Sequence, residues 1–212
     1  MQNLALNFKS DIDYSKVGIS DAVDPANLVN LGDNVYISIL RILGNLNNDD
    51  QLTRLKSEGL EVATPEMFFK LLKLLKLSRA ECLNGRKINK EESEDILREI
   101  LDTTYEWRGE YFGIRISEDA SGLGYSNGSE ITGLQGILMD NKDISLRQII
   151  GGATIHGFPF NSIKDGSLRY TYPRNKAIPR FQSSKDGCEF LCCHSGTLKD
   201  SRLGIRPVFY KR

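Results

Sequence analysis

The sequence is poor in the residues from which most active sites are built. Its 212 residues include two histidines, His156 and His194, and a single tryptophan, Trp107. Net charge is also missing, since 28 Lys and Arg are matched by 28 Asp and Glu. With no overall positive field to hold a phosphate backbone, a dedicated nucleic-acid binder is disfavoured. No apolar run approaches the roughly 18–20 residues of a membrane span. The opening MQNLALNFKSDIDYSK lacks a basic n-region and a continuous apolar stretch. No secretory signal is expected there, and a cytoplasmic, reducing location is the default. Cysteine usage agrees: Cys82, Cys188, Cys192 and Cys193 form neither a disulfide framework nor paired CxxC knuckles. Internal repeats and low-complexity tracts are absent as well.

Hydrophobic residues make up 40% and charged residues 26%, the balance of a globular chain able to bury a core. The front half reads as helical. Asp24-Pro25 suits a helix start, and Leu28, Val29 and Leu31 continue an apolar stripe. Gly32, Asp33 and Asn34 interrupt it, after which Val35, Tyr36, Ile39, Leu40, Ile42 and Leu43 recur at helical spacing. A short helix over residues 51–58 follows the polar NLNNDD. The clearest helix starts at Thr64-Pro65, a cap followed by proline at the first position, with Met67, Phe68, Leu71, Leu72, Leu74 and Leu75 on its apolar face. Asn89 and Glu92 suit a capping box for another helix over 90–101.

After Trp107 the texture changes. Residues 110–117 (EYFGIRIS) are strand-like, and the glycine- and serine-rich SEDASGLGYSNGSEITGLQG reads as an irregular surface loop. Asp143 is expected to cap a short helix ending at Gly151-Gly152. A hairpin is expected at Lys164-Asp165-Gly166-Ser167, followed by the short strands RYTY, RFQ, CEFLCCH and GIRPVFY. Helices in front and strands behind make the class α+β.

The chemical motifs are thin. Gly124-Tyr125-Ser126-Asn127-Gly128 matches the GxSxG nucleophile elbow, but no strand-to-helix context surrounds Ser126. The same glycines miss the GxGxxG spacing. Cys188, Cys192, Cys193 and His194 could bind zinc only if their ligand atoms converge, and reduced core or surface thiols are the simpler reading. On a strand, Cys192 and Cys193 would point to opposite faces. His156 sits among apolar neighbours as a structural histidine, Trp107 reads as a core anchor, and KEESEDILRE as a solvated helix face. No enzyme, metal or cofactor follows from these residues.

The C-terminal segment differs in kind. Regular framework residues (Tyr172-Pro173, Ile178, Phe181, Gly187, Phe190-Leu191 and Leu203-Gly204-Ile205-Arg206-Pro207) alternate with a chemically arbitrary set. A terminal LGIRPV after a strand-rich segment resembles the end of C-type-lectin-like domains of the formylglycine-generating-enzyme type. Together with ATPEMFFKLLKLLK, YEWRGEYF, IHGFPF and KDGSLRYTYPRNKAIPRFQ, it resembles variable proteins of diversity-generating retroelements, of the archaeal type. The resemblance covers residues 60 to 212, with a helical segment 1–60 packed on that domain.

The resemblance implies a ligand-binding protein, not an enzyme, whose surface over about residues 170–206 is rewritten at template adenines. Mutated AAC or AAT codons cannot specify Lys, Glu, Gln, Met or Trp, so Lys176, Gln182, Lys185, Glu189 and Lys199 fall outside the variable set. Tyr172, Arg174, Ala177, Arg180, Ser183, Ser184, Asp186, Cys188, Cys192, His194, Thr197, Ser201 and Arg202 fall within it. These side chains are expected to face solvent over a core of Trp107, Phe181, Phe190, Leu191 and Ile205. The EPN, QPD and WND motifs of calcium-dependent sugar binders are absent, as is a match to the formylglycine-generating cysteines. The implied partner is an unidentified protein or surface ligand met without metal, by a chain expected to be a monomer. The alternatives are an undiversified binding or structural domain of the same fold, and a hydrolase using Ser126.

Overall fold

The computed structural model describes residues 17–42, 44, 46–101, 107–119, 122–127, 130–200 and 202–211. The chain is α+β, as its helix-then-strand order suggested, but residues 28–38 form strands where a helical stripe was expected. After the single-turn α1 (Ile19–Ala22), a hairpin forms from β1 (Leu28–Gly32) and β2 (Val35–Ser38). Its turn is Asp33-Asn34, both at positive φ (53° and 61°). That is the backbone of a two-residue hairpin loop, which Asp and Asn tolerate best among non-glycine residues. The residues that interrupt the apparent helix are therefore the turn. The apolar residues on either side suit a helix stripe or two buried strands equally well, and tertiary pairing decides for strands. Leu43 lies outside the described residues.

Helices α2 (Asn48–Ser57), α3 (Pro65–Lys76) and α4 (Lys90–Leu101) follow, with β3 (Glu61–Val62) between the first two. Their starts follow local chemistry. Asn47 Oδ1, Thr64 Oγ1 and Asn89 Oδ1 accept hydrogen bonds from the N–H groups of Asp50 (2.9 Å), Met67 (3.3 Å) and Glu92 (2.9 Å). Next come β4 (Arg108–Tyr111), β5 (Arg115–Asp119), β6 (Gly122–Asn127) and β7 (Glu130–Gly133). The stretch expected to be an irregular loop is thus a three-stranded antiparallel sheet, β5-β6-β7. Gly124 permits it, because a Cβ there would stand 2.9 Å from the Thr132 carbonyl oxygen of the neighbouring strand.

Beyond it lie β8 (Lys142–Ile144), α5 (Leu146–Gly151), β9 (Thr154–Ile155) and β10 (Phe158–Pro159). The cap of α5 is Ser145, whose Oγ accepts from Gln148 N at 3.3 Å. Asp143 is instead within β8. The last strands are β11 (Leu168–Thr171), β12 (Arg180–Ser184), β13 (Gly187–Leu191), β14 (Leu203–Ile205) and β15 (Pro207–Tyr210). No hairpin forms at Lys164–Ser167. Asp165 bridges back to Ile144, and the Lys142–Asp165 ion pair (2.7 Å) fixes that turn to β8.

The central sheet runs β14-β4-β12-β13-β11-β8. It is mixed: β11 lies parallel to β13 and β14 parallel to β4, while the other pairs are antiparallel. One face carries Glu110, Phe181, Phe190 and Tyr170 toward α3, where Phe68 and Phe69 meet Phe181 and Phe190 with ring centroids 5.1–6.2 Å apart. A second sheet, β1-β2-β15-β3, joins N-terminal strands to the last strand of the chain. Residues 28–38, expected in a helical segment, therefore share a sheet with the last strand.

Arg206 and Glu110 lock the two sheets together. Arg206 Nε and Nη2 donate to the two carboxylate oxygens of Glu110 at 2.8 Å each, and Nη1 donates to the Ser38 carbonyl at 3.0 Å. Arg206 is 1% and Glu110 5% exposed. Removing one partner strands a buried charge, so Glu110→Leu should cost about 3–5 kcal/mol in a urea titration. The double variant Glu110→Leu/Arg206→Met should regain much of that loss, and a double variant no better than the single would show that the pair is not the cause.

Candidate functional site

Strand order creates the site. After β13 the chain must pass β12 and β4 to reach β14 on the far side of the sheet. Residues 192–202 make that crossing on the face opposite α3. The loop is held by backbone hydrogen bonds from Ile178 N to the His194 carbonyl (2.8 Å) and from Asn48 N to the Gly196 carbonyl (3.0 Å). The turn after β11 joins it, since Arg174 N donates to the Cys192 carbonyl at 3.1 Å.

Trp107 stands at the β14 end of this region. It was expected in the core, yet it is only half-buried, because it precedes β4 at the margin of the sheet where the crossing loop ends. The Arg202 guanidinium lies 4.5 Å from its ring centroid and that of Arg180 5.9 Å. Arg202 is aimed by a two-pronged pair with Asp200 (Nε–Oδ1 2.9 Å, Nη2–Oδ2 2.8 Å), which holds the Asp200 carboxyl below its usual range. Arg180 Nη2 lies 3.5 Å from His194 Nε2. Burial lowers the His194 pKa, and the Arg180 charge lowers it further, with Glu189 opposing. Tyr111, opposite Arg180 in the sheet, has its phenol pushed up by burial. Arg174 stacks over Tyr172 at 5.4 Å.

The structure divides the thirteen nominated positions. Tyr172, Arg174, His194, Thr197 and Arg202 are exposed or half-buried in the turn and crossing loop. Ser184 and Asp186 are also accessible, at the tip of the β12–β13 hairpin, where the β12–β4 register (Ser183 opposite Arg108) brings the hairpin end level with Trp107. Arg180 faces the crossing loop and is 6% exposed beneath it. The expected solvent exposure fails there and at Ala177, Ser183, Cys188 and Cys192, all buried. Ser183 and Cys188 pair across β12 and β13 on the core face, where Cys188 Sγ donates to the Leu101 carbonyl (3.5 Å). Ser201 lies outside the described residues. Phe181, Phe190, Leu191 and Ile205 are buried as expected.

Strand alternation explains the thiols. Cys188, Phe190 and Cys192 point inward, while Cys193 turns to the other side and accepts a hydrogen bond from the Thr171 hydroxyl at 3.5 Å. Burial pushes the Cys188 thiol up to about 11 and Cys192 well above its usual value, the opposite of what thiolate ligation requires. Among the described residues no group of three metal-ligating side chains converges. Ser126 lies within β6, not on an elbow, and its hydroxyl donates to the Arg115 carbonyl at 3.5 Å. It borders a cleft of about 510 Å³ between α2 and β5, lined also by Leu52, Leu60 and Ile114 and by no histidine. His156, at φ 51°, packs its ring against Tyr125 and lies 3.9 Å from Glu66.

Sequence reasoning missed the half-exposed position of Trp107, and Asp200 and Tyr111 altogether. Only the strand order that carries the loop over β12 and β4 brings them beside Arg180.

Two measurements check this arrangement. Ser183→Arg would bury an uncompensated charge against the core and should destabilise by about 3 kcal/mol or more. Ser184→Arg, one residue along and on the accessible face, should stay within about 0.5 kcal/mol. Equal losses would refute the division of faces. An NMR titration should place the His194 midpoint below the ordinary value of 6.5, and Arg180→Gln should raise it. The sign for stability follows: the unfolded imidazole takes its proton first. This contribution is therefore whole above about pH 6.5 and declines as pH falls toward the folded-state value.

No protein-family model, curated protein or solved structure matches this chain.

Proposed function

We propose that this is a ligand-binding protein with a C-type-lectin-like domain of the formylglycine-generating-enzyme type, whose C-terminal surface is diversified by a retroelement. The observation that carries the reading is the separation of roles within residues 170–206. A fixed aromatic core (Phe181 and Phe190 on Phe68 and Phe69) lies on one side of the sheet. The turn and crossing loop on the other side present Tyr172, Arg174, His194, Thr197 and Arg202, all residues that mutated AAC or AAT codons can specify. Substitution at such accessible sites typically costs less than about 0.5 kcal/mol, whereas core truncation costs several. A surface of this kind can change its side chains and keep its fold, and its specificity resides in the side chains and not in the scaffold.

The burial of Ala177, Ser183, Cys188 and Cys192 favours a variable set narrower than the codon argument allows. It also suits the second reading, a fixed binding domain of the same fold. The two part at the DNA. The first requires a near-copy of the segment coding for about residues 170–206, differing at adenines and lying near a reverse-transcriptase gene. Its differences should fall on codons for the accessible positions and spare those for Ser183 and Cys188. A locus with no such copy would leave the fixed domain as the answer. For binding itself, exchanging residues 170–202 between two natural copies should transfer partner preference, and preference that stays with residues 1–160 would overturn the assignment of the site.

A further inference from the structure

The cleft between α2 and β5 has a chemistry that the proposed binding surface does not use. We infer that it is a second site, which takes a small neutral molecule: a flat apolar body carrying a carboxamide, either primary or within a ring. The inference stands apart from the proposed function, because neither the crossing-loop side chains nor their diversification enters it.

Size and lining favour such a ligand. At about 510 Å³ the cleft falls within the range of small-molecule sites. Asn48, Leu52 and Lys56 recur at every fourth residue of α2, so one helix face forms a wall about 12 Å long. The buried residues Leu60, Val62, Ile114 and Ile178 supply the apolar lining. The charged groups cancel, since Asp49 and Glu61 are matched by Lys56 and Arg115. Asp49 and Arg115 pair directly, at 2.9 Å, between α2 and β5. A charged ligand would meet no net field here and would lose water against the apolar walls.

Asn48 identifies the functional group. It is 0% exposed, and neither its Oδ1 nor its Nδ2 has a hydrogen-bond partner. Helix capping does not explain it, because Asn47 caps α2. Its backbone N–H is engaged with the Gly196 carbonyl at 3.0 Å, so only the side chain is left over. An unpaired buried amide is costly, and leucine has nearly the same shape without that cost. The terminal torsion of asparagine is broad, so the amide can turn toward the cleft that it lines. There its donor and acceptor match the acceptor and donor of another carboxamide. The result is two parallel hydrogen bonds, which a carboxylate, an amine or a tertiary amide cannot reproduce.

Benzamide is the probe, compared with benzoate, benzylamine and N,N-dimethylbenzamide. Each is titrated into the isotope-labelled full-length protein and followed by NMR. Benzamide alone should give saturable shifts, at the Asn48 side-chain amide and at the backbone amides of Leu60, Ile114 and Arg115. Asn48→Leu should weaken benzamide at least tenfold while the thermal midpoint holds or rises, because the unpaired amide is gone. Leu52→Trp, at a half-buried position on the same wall, should obstruct the cleft and weaken benzamide by a similar factor, with native fold checked by circular dichroism. No saturable shift with benzamide, equal binding of any of the other three, shifts confined to residues outside the cleft, or full affinity in either variant would each overturn the inference. So would a lowered midpoint in Asn48→Leu, which would show that the amide already serves a structural partner such as a bound water.

Discussion

The buried pair of Arg206 with Glu110 is the contact on which the remaining architecture depends. Arg206 stands between the last two strands, one in each of the two larger sheets, and its guanidinium reaches β4 and the carbonyl of Ser38 at the end of β2. It also lies 6.0 Å from the ring of Phe68, the residue through which α3 packs on the central sheet. Desolvating two such charges is expensive, and the pair is tolerable only because both carboxylate oxygens and the third guanidinium nitrogen are satisfied. Its value is therefore in specification more than in net stability. One geometry satisfies every partner, and a slip of β14 or β15 by a residue would turn Arg206 to the opposite face.

Fixing β14 beside β4 has a topological consequence. The chain leaves β13 on one side of β12 and β4 and must return on the other, so residues 192–202 are obliged to cross the sheet. The crossing covers Arg180 and Tyr111 and leaves His194, Thr197 and Arg202 outward. It is anchored by backbone hydrogen bonds to the segment after β11 and to the start of α2, so its path does not depend on its side-chain contacts alone. A loop tied down through its main chain can vary its side chains without losing its path, the property that a changeable binding surface needs. Such a loop is also already ordered before a partner arrives, which lowers the entropic cost of binding.

Local chemistry was readable where it was strong. Thr64-Pro65 and Asn89 start helices at the expected residues, because a capping side chain and a proline act within a single turn. The buried Phe181, Phe190 and Ile205 were legible as framework from their apolar character in short strand-like runs. The N-terminal strands were not, since Val35 to Ile42 has apolar spacing compatible with either structure, and its strand pairing with β15 lies some 170 residues away. The glycine-rich stretch failed for a related reason: its glycines permit close strand approach, which has no signature in periodicity.

The amino-acid sequence by itself determined the α+β class, the helices α2 to α4 and the aromatic core, all consequences of interactions within a few residues of chain. It also determined that the C-terminal third mixes a regular framework with arbitrary side chains. Tertiary structure alone decided which of those side chains are accessible. Ser183 and Ser184 are neighbours of identical chemistry, yet one is sealed against the core and the other is accessible, because strand register alternates the faces. Trp107 is half-buried at the sheet margin instead of fully within the core for the same kind of reason. Its surroundings are set by a loop more than 85 residues further along the chain, whose course follows from strand order and from no local property of the sequence.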